Sequence, residues 1–418
     1  MFIHQFRMLT LSLPPDPAAT PRMLGSNQTG MREFNERVVL HAIRLHGSLP
    51  KAELARLTNL STQTVSVIIN RLLEEGFVVK RDSLRGRVGQ PSQPIALNPD
   101  GAFSIGVQIG RRNLDVALID FTGAPRYRKS IVYGAASVDA VFGEIGEHLE
   151  RVEDQLGAEK SQRLSGIGLA APLAFGGWRE LVGLSAQDAD AWTRTNMRER
   201  LQGMTRLPVA FAKDTAAACV AELVAGRGRH LKNYLYVFVD TLIGGGLVIN
   251  GQPHAGVYGN AGAIGSMALG LADASRPGAT QQLLASASLA TLEDMLAAVG
   301  LENLPAGDAR LLQAPWAPVT RRWMEEAANA IAFSINTSSC LLDLDGVIVD
   351  GAVGAPLLES LIEAIRAALV QYSWQGIMRP EIIAGAIRRD AKVIGAAYLP
   401  LHANFAPGHE SFLKGSRG

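Results

Sequence analysis

Apolar and polar positions repeat with the period of short helices over the first part of the chain. Three such stretches lie between Arg32 and Glu75, and Gly47 and Gly76 end the first and the third. Their apolar positions are Phe34, Val38, Leu40 or His41, and Leu45 in the first, Leu54 and Leu57 in the second, and Val65, Ile68, Ile69, Leu72 and Leu73 in the third. The pattern predicts three amphipathic helices, the third over Thr62–Glu75.

The segment between the second and third helices has the composition of a tight turn. Asn59 is the non-glycine residue type that best tolerates a left-handed conformation, and Ser61 is a good N-cap for the third helix. A strand, a basic loop rich in Gly and Pro, and a returning strand follow: Phe77–Arg81, Arg85–Pro94 and Ile95–Leu97. This order predicts a winged helix-turn-helix over residues 31–98, after a flexible leader of residues 1–30.

From about Phe103 the pattern changes to strands that alternate with helices. The predicted strands are Ile105–Ile109, Leu114–Phe121, Ser165–Ala171, Tyr234–Asp240, Gly346–Val349 and Glu381–Ile383, with a glycine-rich hairpin over Ile243–Gly251. The predicted late helices are Val319–Leu342 and Leu357–Tyr372. These elements predict an α/β body of about 300 residues in two lobes.

Composition excludes several classes of protein. The chain has 418 residues with 40 basic and 39 acidic side chains, but residues 1–100 hold 12 basic and 8 acidic ones. This basic front permits a nucleic-acid module without proving one. Two cysteines cannot form a disulfide framework and suit a reducing cytoplasm. The longest uncharged run, Thr241–Ala272, is too rich in Gly to be a membrane span, and no signal peptide is expected.

The predicted third helix carries the candidates for contact with DNA. A helix-turn-helix places the N-terminal end of its second helix against base edges in the major groove. The candidate residues are Ser61, Thr62, Gln63, Thr64, Ser66, Asn70 and Arg71 on the helix, with Arg85, Arg87 and Gln90 on the wing. Gln63 suits adenine, Thr64 a thymine methyl group and Arg71 a phosphate. The alternative is an ordinary amphipathic helix with solvated arginines, but the turn, stripe and wing in this order favour DNA binding.

These segments also resemble a known family. Arg44–Gly47, Lys51–Ala55, Leu60–Ser66 and Leu72–Gly76 are similar to the DNA-binding head of ROK regulators (repressor, open reading frame, kinase), which control bacterial sugar-utilisation genes. The similarity is to sugar repressors of the xylose and N-acetylglucosamine type. Most members have Gly-Arg-Pro in the wing, whereas this chain has Gly86-Arg87-Val88-Gly89-Gln90-Pro91. The resemblance covers almost everything after residue 31.

The resemblance implies that the body has the two-lobed, actin-like (ribonuclease H-like) sugar-kinase fold, in which ATP and a sugar meet in a cleft. It implies a small lobe over residues 99–212, completed by residues 387–405. It implies a large lobe over residues 213–386, with the effector cleft and the dimerisation surface. The full fold class is therefore α/β, with an N-terminal winged helix-turn-helix before the kinase-like body.

The phosphate-binding motifs of the family are degenerate in this chain. Kinases carry Asp-x-Gly-Gly-Thr, where the Asp holds magnesium water and the glycines admit phosphate. This chain has Gln108-Ile109-Gly110-Arg111-Arg112, whose arginines either attract an anion or form a solvated turn. The second motif, Gly-Thr-Gly-Ile-Gly-x-Gly, is Asp240-Thr241-Leu242-Ile243-Gly244-Gly245-Gly246. ATP binding is therefore not expected.

The sugar-binding motifs are altered as well. The family's Asn-Asp-Ala, whose Asp is the general base, is Lys213-Asp214-Thr215, so Asp214 keeps that position. Asp214 is also the expected N-cap of a helix Thr215–Val224, and we expect Lys213 to lower its pKa. The family's sugar-binding Glu and zinc-binding His are Ala263 and Ser266, and a cysteine cluster for zinc is missing, so no metal is expected. The effector candidates are Lys213, Asp214, Gly262, Ala263, Ser266 and Gln282.

The combination of head and body predicts a DNA-binding transcription regulator that lacks catalytic residues, and it favours a repressor over an activator. Its expected partners are double-stranded DNA with an inverted repeat, a sugar, sugar acid or polyol effector, and a second copy in a homodimer or dimer of dimers. Two alternatives stay open. One is a residual sugar kinase that uses Asp214, and the other is a regulator without an effector, whose body is a scaffold for dimerisation or for a partner protein.

Overall fold

The computed structural model describes residues 28–82, 93–133, 137–173, 185–271 and 280–407, which form two compact units. The first unit comprises the described residues up to Ala212 together with residues 396–407. The second unit comprises the described residues of Lys213–Gly395. Below, the head means the described residues 28–98 of the first unit. In the part of the chain that the structure describes, no helix is both long enough and apolar enough to cross a membrane.

The head is a three-helix bundle with a small antiparallel sheet, as predicted. Its helices are α1 (Gln28–His46), α2 (Lys51–Thr58) and α3 (Thr62–Glu74), and its strands in sheet order are β1 (Ser48–Leu49), β3 (Ile95–Leu97) and β2 (Val78–Lys80). Asn59 has the predicted left-handed conformation, with φ at 54°. Strand β2 is shorter than the predicted Phe77–Arg81 because only its three residues pair with β3.

The buried face of α1 differs from the predicted one. Its buried side chains are Val39, Leu40, Ala42 and Ile43, whereas Phe34, Val38 and Leu45 are partly buried and His41 is exposed. Helix α1 packs against β3 as well as α2, so the face that is buried must meet both partners. Helical periodicity alone cannot show this, because neighbouring faces of α1 both carry apolar residues.

The rest of the first unit is a five-stranded sheet covered by helices. The sheet order is β6 (Pro125–Val132), β5 (Asn113–Asp120), β4 (Phe103–Ile109), β7 (Leu164–Ala171) and β8 (Val209–Lys213), and the helices are α4 (Val138–Ser161), α5 (Ala186–Arg194) and α6 (Met197–Gln202). Strand β4 runs antiparallel to β5 and parallel to β7. Both faces of β4 are buried, which explains its nearly continuous apolar sequence.

The head packs against this sheet within the first unit. The rings of Phe77, Phe121 and Phe405 form a cluster with centroid separations of 5.7, 5.3 and 4.8 Å. Asn98 Nδ2 donates a hydrogen bond of 2.7 Å to the carbonyl oxygen of Gly76, which joins the end of the head to its third helix. Aromatic contacts of this kind stabilise beyond the area that they bury.

The second unit is another five-stranded sheet with helices on both faces. The sheet order is β11 (Gln252–Pro253), β10 (Gly244–Ile249), β9 (Tyr234–Val239), β12 (Gly346–Gly351) and β13 (Glu381–Ala384). The helices are α7 (Asp214–Ala225), α8 (Leu284–Ala287), α9 (Leu289–Ala298), α10 (Ala317–Leu342) and α11 (Ala355–Ala368). Strand β9 is antiparallel to β10 and parallel to β12. All residues of β9 are buried, which is typical of a strand covered on both faces.

The last helix, α12 (Ala391–Phe405), is divided between the units: residues 391–395 belong to the second and residues 396–405 to the first. Two glycines allow its backbone to approach closely. A Cβ on Gly395 would lie 1.8 Å from the carbonyl oxygen of Ala217, and a Cβ on Gly168 would lie 1.7 Å from that of Ala396. Any side chain at these two positions would therefore push the helix away from its neighbours.

Candidate DNA-binding and ligand-binding sites

Helix α3 has one buried face and one exposed polar face. Val65, Ile68, Ile69 and Leu72 are buried, whereas Ser61, Thr62, Gln63 and Asn70 are exposed. Ser61 is the predicted N-cap, because its Oγ accepts a hydrogen bond of 3.0 Å from the amide of Thr64. The two hydroxyl oxygens of Ser61 and Thr64 are 2.8 Å apart, so the Thr64 hydroxyl faces the start of its own helix.

Two of the candidate residues take part in contacts inside the head. Arg71 donates hydrogen bonds to Glu75 at 2.8 Å and to Glu36 of α1 at 3.0 Å. The side-chain oxygen of Asn70 accepts one from Lys51 Nζ at 3.2 Å. Burial raises the pKa of Glu36, while Arg71 opposes that rise. These contacts tie α3 to α1 and α2, and the sequence did not indicate them. A phosphate contact by Arg71 stays a prediction, as do the base contacts.

The three wing candidates, Arg85, Arg87 and Gln90, lie outside the described residues. The structure therefore describes the helical part of the predicted DNA-binding surface, with the strands β2 and β3 on either side of the wing.

In the first unit, the turn after β4 holds a network of polar side chains. The side chain of Gln108 is buried and lies within hydrogen-bond distance of the side chains of Asn113, at 3.0 Å, and Asp115, at 2.8 Å. A Cβ on Gly110 would lie only 2.2 Å from Asn113 Oδ1. The residue that replaces the magnesium acid is therefore bound to its neighbours, and Asn113 occupies the space beside the glycine. The alternatives for Arg111 and Arg112, an anion contact or a solvated turn, stay open.

In the second unit, a buried lysine bridges two aspartates. Lys392 Nζ donates to Asp214 Oδ2 at 2.8 Å and to Asp240 Oδ2 at 2.6 Å. The other carboxylate oxygen of each aspartate accepts a hydrogen bond from the backbone amide of the next residue. Asp214 Oδ1 accepts from Thr215 at 2.9 Å, and Asp240 Oδ1 accepts from Thr241 at 2.7 Å. Burial alone would lower the pKa of Lys392, but the two carboxylates outweigh it and raise that pKa above its usual value. We call Asp214, Asp240 and Lys392 the ion triad.

The structure corrects one expectation about Asp214 and adds a distant partner. Helix α7 begins at Asp214 itself, one residue earlier than predicted, so Lys213 rather than Asp214 is its N-cap. The cation that donates to Asp214 Oδ2 is Lys392, which lies 178 residues further along the chain. Nothing in the local sequence around Asp214 indicates so distant a partner.

The remaining effector candidates separate into two places. Gly262, Ala263 and Ser266 line a pocket of about 350 Å³ in the second unit. The other lining residues are Leu235, Leu247, Ile264, Met267, Ser338, Leu341 and Leu342. Gln282 does not line it and instead pairs with Ala268 in an isolated antiparallel bridge. The described lining of the pocket is mostly apolar, and Ser266 and Ser338 contribute hydroxyl groups to it.

Among the described residues, no three or more His, Cys, Asp or Glu side chains are placed together so that they could hold a metal ion. The family's zinc-binding His is Ser266, and a serine hydroxyl is a poor zinc ligand beside imidazole and thiolate. The residues present therefore do not fit the family's zinc.

Known proteins resemble this chain over both parts. The ROK family model matches residues 104–403, and the MarR family model matches residues 33–87. An uncharacterized protein, y4fQ, of Sinorhizobium fredii is 26% identical over 92% of this chain and 96% of its own length. The xylose repressor of Bacillus subtilis is 23% identical over 58% of this chain and 62% of its own length.

Solved structures share the fold. A ROK family transcriptional regulator, a homologue of the Escherichia coli MLC protein, superposes with a TM-score of 0.66 at 18% identity, covering 92% of this chain and 100% of its own. A ROK hexokinase from Thermus thermophilus gives 0.54 at 24% identity and covers 72% of this chain and 99% of its own. These matches confirm the predicted fold class, a winged helix-turn-helix followed by a kinase-like α/β body.

Proposed function

Since this chain belongs to the ROK family, and its head presents an exposed polar recognition helix, we propose that it is a DNA-binding transcription regulator, chiefly a repressor of carbohydrate-utilisation genes. The observation that carries the proposal is the exposed end of α3, where Thr62 and Gln63 face solvent on an ordered helix with a formed cap. A protein gains no stability from polar side chains held in this way, but a partner with base edges can use them. A xylose repressor among the similar proteins supports the same proposal.

We infer that the partner DNA is an inverted repeat and that the protein binds it as a homodimer or dimer of dimers, because two-fold operators match two-fold proteins. The place of action is the cytoplasm, where the DNA lies and where the free thiols of Cys219 and Cys340 stay reduced.

We also propose that the body does not transfer phosphate. Asp214, at the family's general-base position, is a buried member of the ion triad. Its oxygens accept hydrogen bonds from the amide of Thr215 and from Lys392, whose raised pKa keeps it charged, and a neighbouring cation favours a carboxylate that does not take up a proton. In addition, Gln108 is an amide and cannot hold magnesium water as a carboxylate does. The two losses concern different parts of the reaction, so restoring one does not restore the activity.

The body's proposed role is to sense a sugar, sugar acid or polyol. The hydroxyl groups of Ser266 and Ser338, which line the pocket of the second unit, are the polar groups offered to such a ligand. An effector must bind one arrangement of the protein better than the other to change DNA binding. A body that senses nothing and only dimerises is the competing interpretation, and thermal-shift screening with sugars, sugar acids and polyols separates the two.

The DNA proposal is tested with the full chain and a fluorescent duplex from the region upstream of its own gene, titrated at several salt concentrations. We expect site-specific binding whose affinity falls as salt rises. Gln63→Ala should weaken it by about tenfold, because a bidentate contact to adenine is lost. The matched control is Gln371→Ala, which removes an exposed glutamine of the second unit. Equal binding to a scrambled duplex would contradict the proposal.

The catalytic proposal has its own test. The purified chain is incubated with ATP, magnesium and a panel of hexoses, pentoses and amino sugars, and sugar phosphate is measured. We expect no product above that of the Asp214→Asn variant, which lacks the retained carboxylate. Product that disappears in this variant would establish the residual kinase instead.

A further inference from the structure

One exposed residue of α3 fits neither the buried nor the polar face of that helix. Val67 leaves 65% of its surface exposed, whereas Val65, Ile68 and Ile69 on the same helix are buried. A valine gains nothing from exposure, and its branched side chain forms helix less well than the Ala, Lys or Glu common at such positions. Neither stability nor helix propensity therefore accounts for it.

Val67 lies on the part of α3 that carries the proposed base contacts. It follows Gln63 by four residues and Thr64 by three, and Asn70 follows it by three, so the four side chains are neighbours on the helix surface. Because the Thr64 hydroxyl is turned to Ser61, the polar atom of Thr64 is already used inside the head. The Thr64 methyl group and the two Val67 methyl groups together give an apolar strip beside the amides of Gln63 and Asn70.

The chemistry of the major groove limits what such a strip can recognise. Base edges there present hydrogen-bond donors and acceptors, and the one apolar feature of unmodified DNA is the 5-methyl group of thymine. From this placement we propose that Val67 is a specificity-determining residue that recognises a thymine 5-methyl group, next to a base pair contacted by Gln63. This proposal rests on the proposed DNA-binding function and adds to it a base and an atom.

The test uses an operator selected by the full chain from random duplexes. Each thymine is then replaced singly by deoxyuridine, which removes the 5-methyl group and leaves the hydrogen-bonding edge unchanged. For the wild-type protein we expect one thymine in each half-site at which this replacement weakens binding roughly fourfold, the effect of one buried methyl-sized group. At the other thymines the effect should be smaller.

A double-mutant cycle with Val67→Ala assigns that methyl group to its partner. The variant should bind the thymine duplex about as weakly as the wild type binds the deoxyuridine duplex, roughly a fourfold loss. It should then be insensitive to the replacement at that position. Val67→Ile, which keeps the apolar branch, should retain the sensitivity. Gln63→Ala should lose affinity for both duplexes and still distinguish them.

The outcomes are distinguishable from failure of the parent proposal. If the wild-type chain selects no operator, the DNA-binding function itself is wrong. Alternatively, the chain selects an operator while Val67→Ala stays as sensitive to the missing methyl group as the wild type, or while the variant weakens binding to the thymine and deoxyuridine duplexes by the same factor. Either result would show that Val67 does not recognise thymine. Val67→Ala should have a thermal midpoint no lower than that of the wild type, because the side chain is exposed and alanine forms helix at least as well as valine.

Discussion

Polar side chains are used in opposite ways by the head and by the second unit. On α3, Thr62 and Gln63 face solvent, and Arg71 is held by carboxylates at the surface of the head. In the ion triad, Lys392 and Asp214 are buried, and each carboxylate oxygen of Asp214 has a donor within the protein. Groups that face water remain available to a partner, whereas buried groups satisfy one another.

The second unit shows what a buried carboxylate requires. Burying Asp214 would be costly unless a cation or hydrogen-bond donors accompanied it. Lys392 supplies that cation from the first turn of α12, and two backbone amides supply the donors. The buried acids of the ion triad are therefore satisfied within the fold, whereas Thr62 and Gln63 at the start of α3 stay exposed.

The largest expected effect comes from removing the cation of the ion triad. Lys392→Met removes the ammonium group that bonds to both Asp214 and Asp240, and we expect it to lower the free energy of unfolding by about 3 kcal/mol. Denaturant unfolding measures the loss, and hydrogen exchange should locate it at α7 and β9. The triple variant Lys392→Met, Asp214→Asn, Asp240→Asn should recover more than half of the loss. A Lys392→Met protein as stable as the wild type would show that the triad is not stabilising.

A second prediction sets the two units against each other by pH. In the first unit, burial, with help from His41 and Arg44, lowers the pKa of His402 to about 4, below the usual 6.5. His402 therefore takes up a proton in the unfolded chain at a higher pH than in the folded one. The free energy of unfolding of the first unit should fall by about 2 kcal/mol between pH 7 and pH 5. In the second unit, burial above all raises the pKa of Asp350 to about 6, with Glu222 adding to it.

For Asp350 the sign is opposite, because the folded protein takes up the proton first. The free energy of unfolding of the second unit should rise by about 1 kcal/mol between pH 7 and pH 5. Hydrogen exchange resolved by segment should show faster exchange at α12 near His402 and slower exchange at β12 once corrected for the intrinsic pH dependence. His402→Gln should remove the first change and leave the second. Parallel changes in both units would refute the assignment to these two groups.

The amino-acid sequence predicts the head better than it predicts the second-unit site, for a physical reason. The Asn59 turn and the Ser61 cap are set by contacts within four residues, and both were predicted. The buried face of α1 depends on packing against β3, and of the apolar positions named for this helix only Leu40 is buried. Lys392 lies 178 residues from Asp214, so only the folded chain brings them together. Similarly, Asn113 and Asp115 join Gln108 through the pairing of β4 with β5.

The smallest expected effect concerns the predicted phosphate contact of Arg71, which Glu36 and Glu75 hold in the absence of DNA. Glu36→Gln removes one carboxylate from this cluster, and because such pairs are partly exposed, stability should change by less than about 1 kcal/mol. Arg71 then binds phosphate without competition from Glu36, so affinity for DNA should rise severalfold and the salt dependence should steepen by up to about one phosphate contact. Glu53→Gln is the matched control, since it removes the same charge from the head but pairs with Arg56 rather than Arg71. If both variants raise DNA affinity equally, the gain comes from net charge alone, and Arg71 serves to hold α3 to α1.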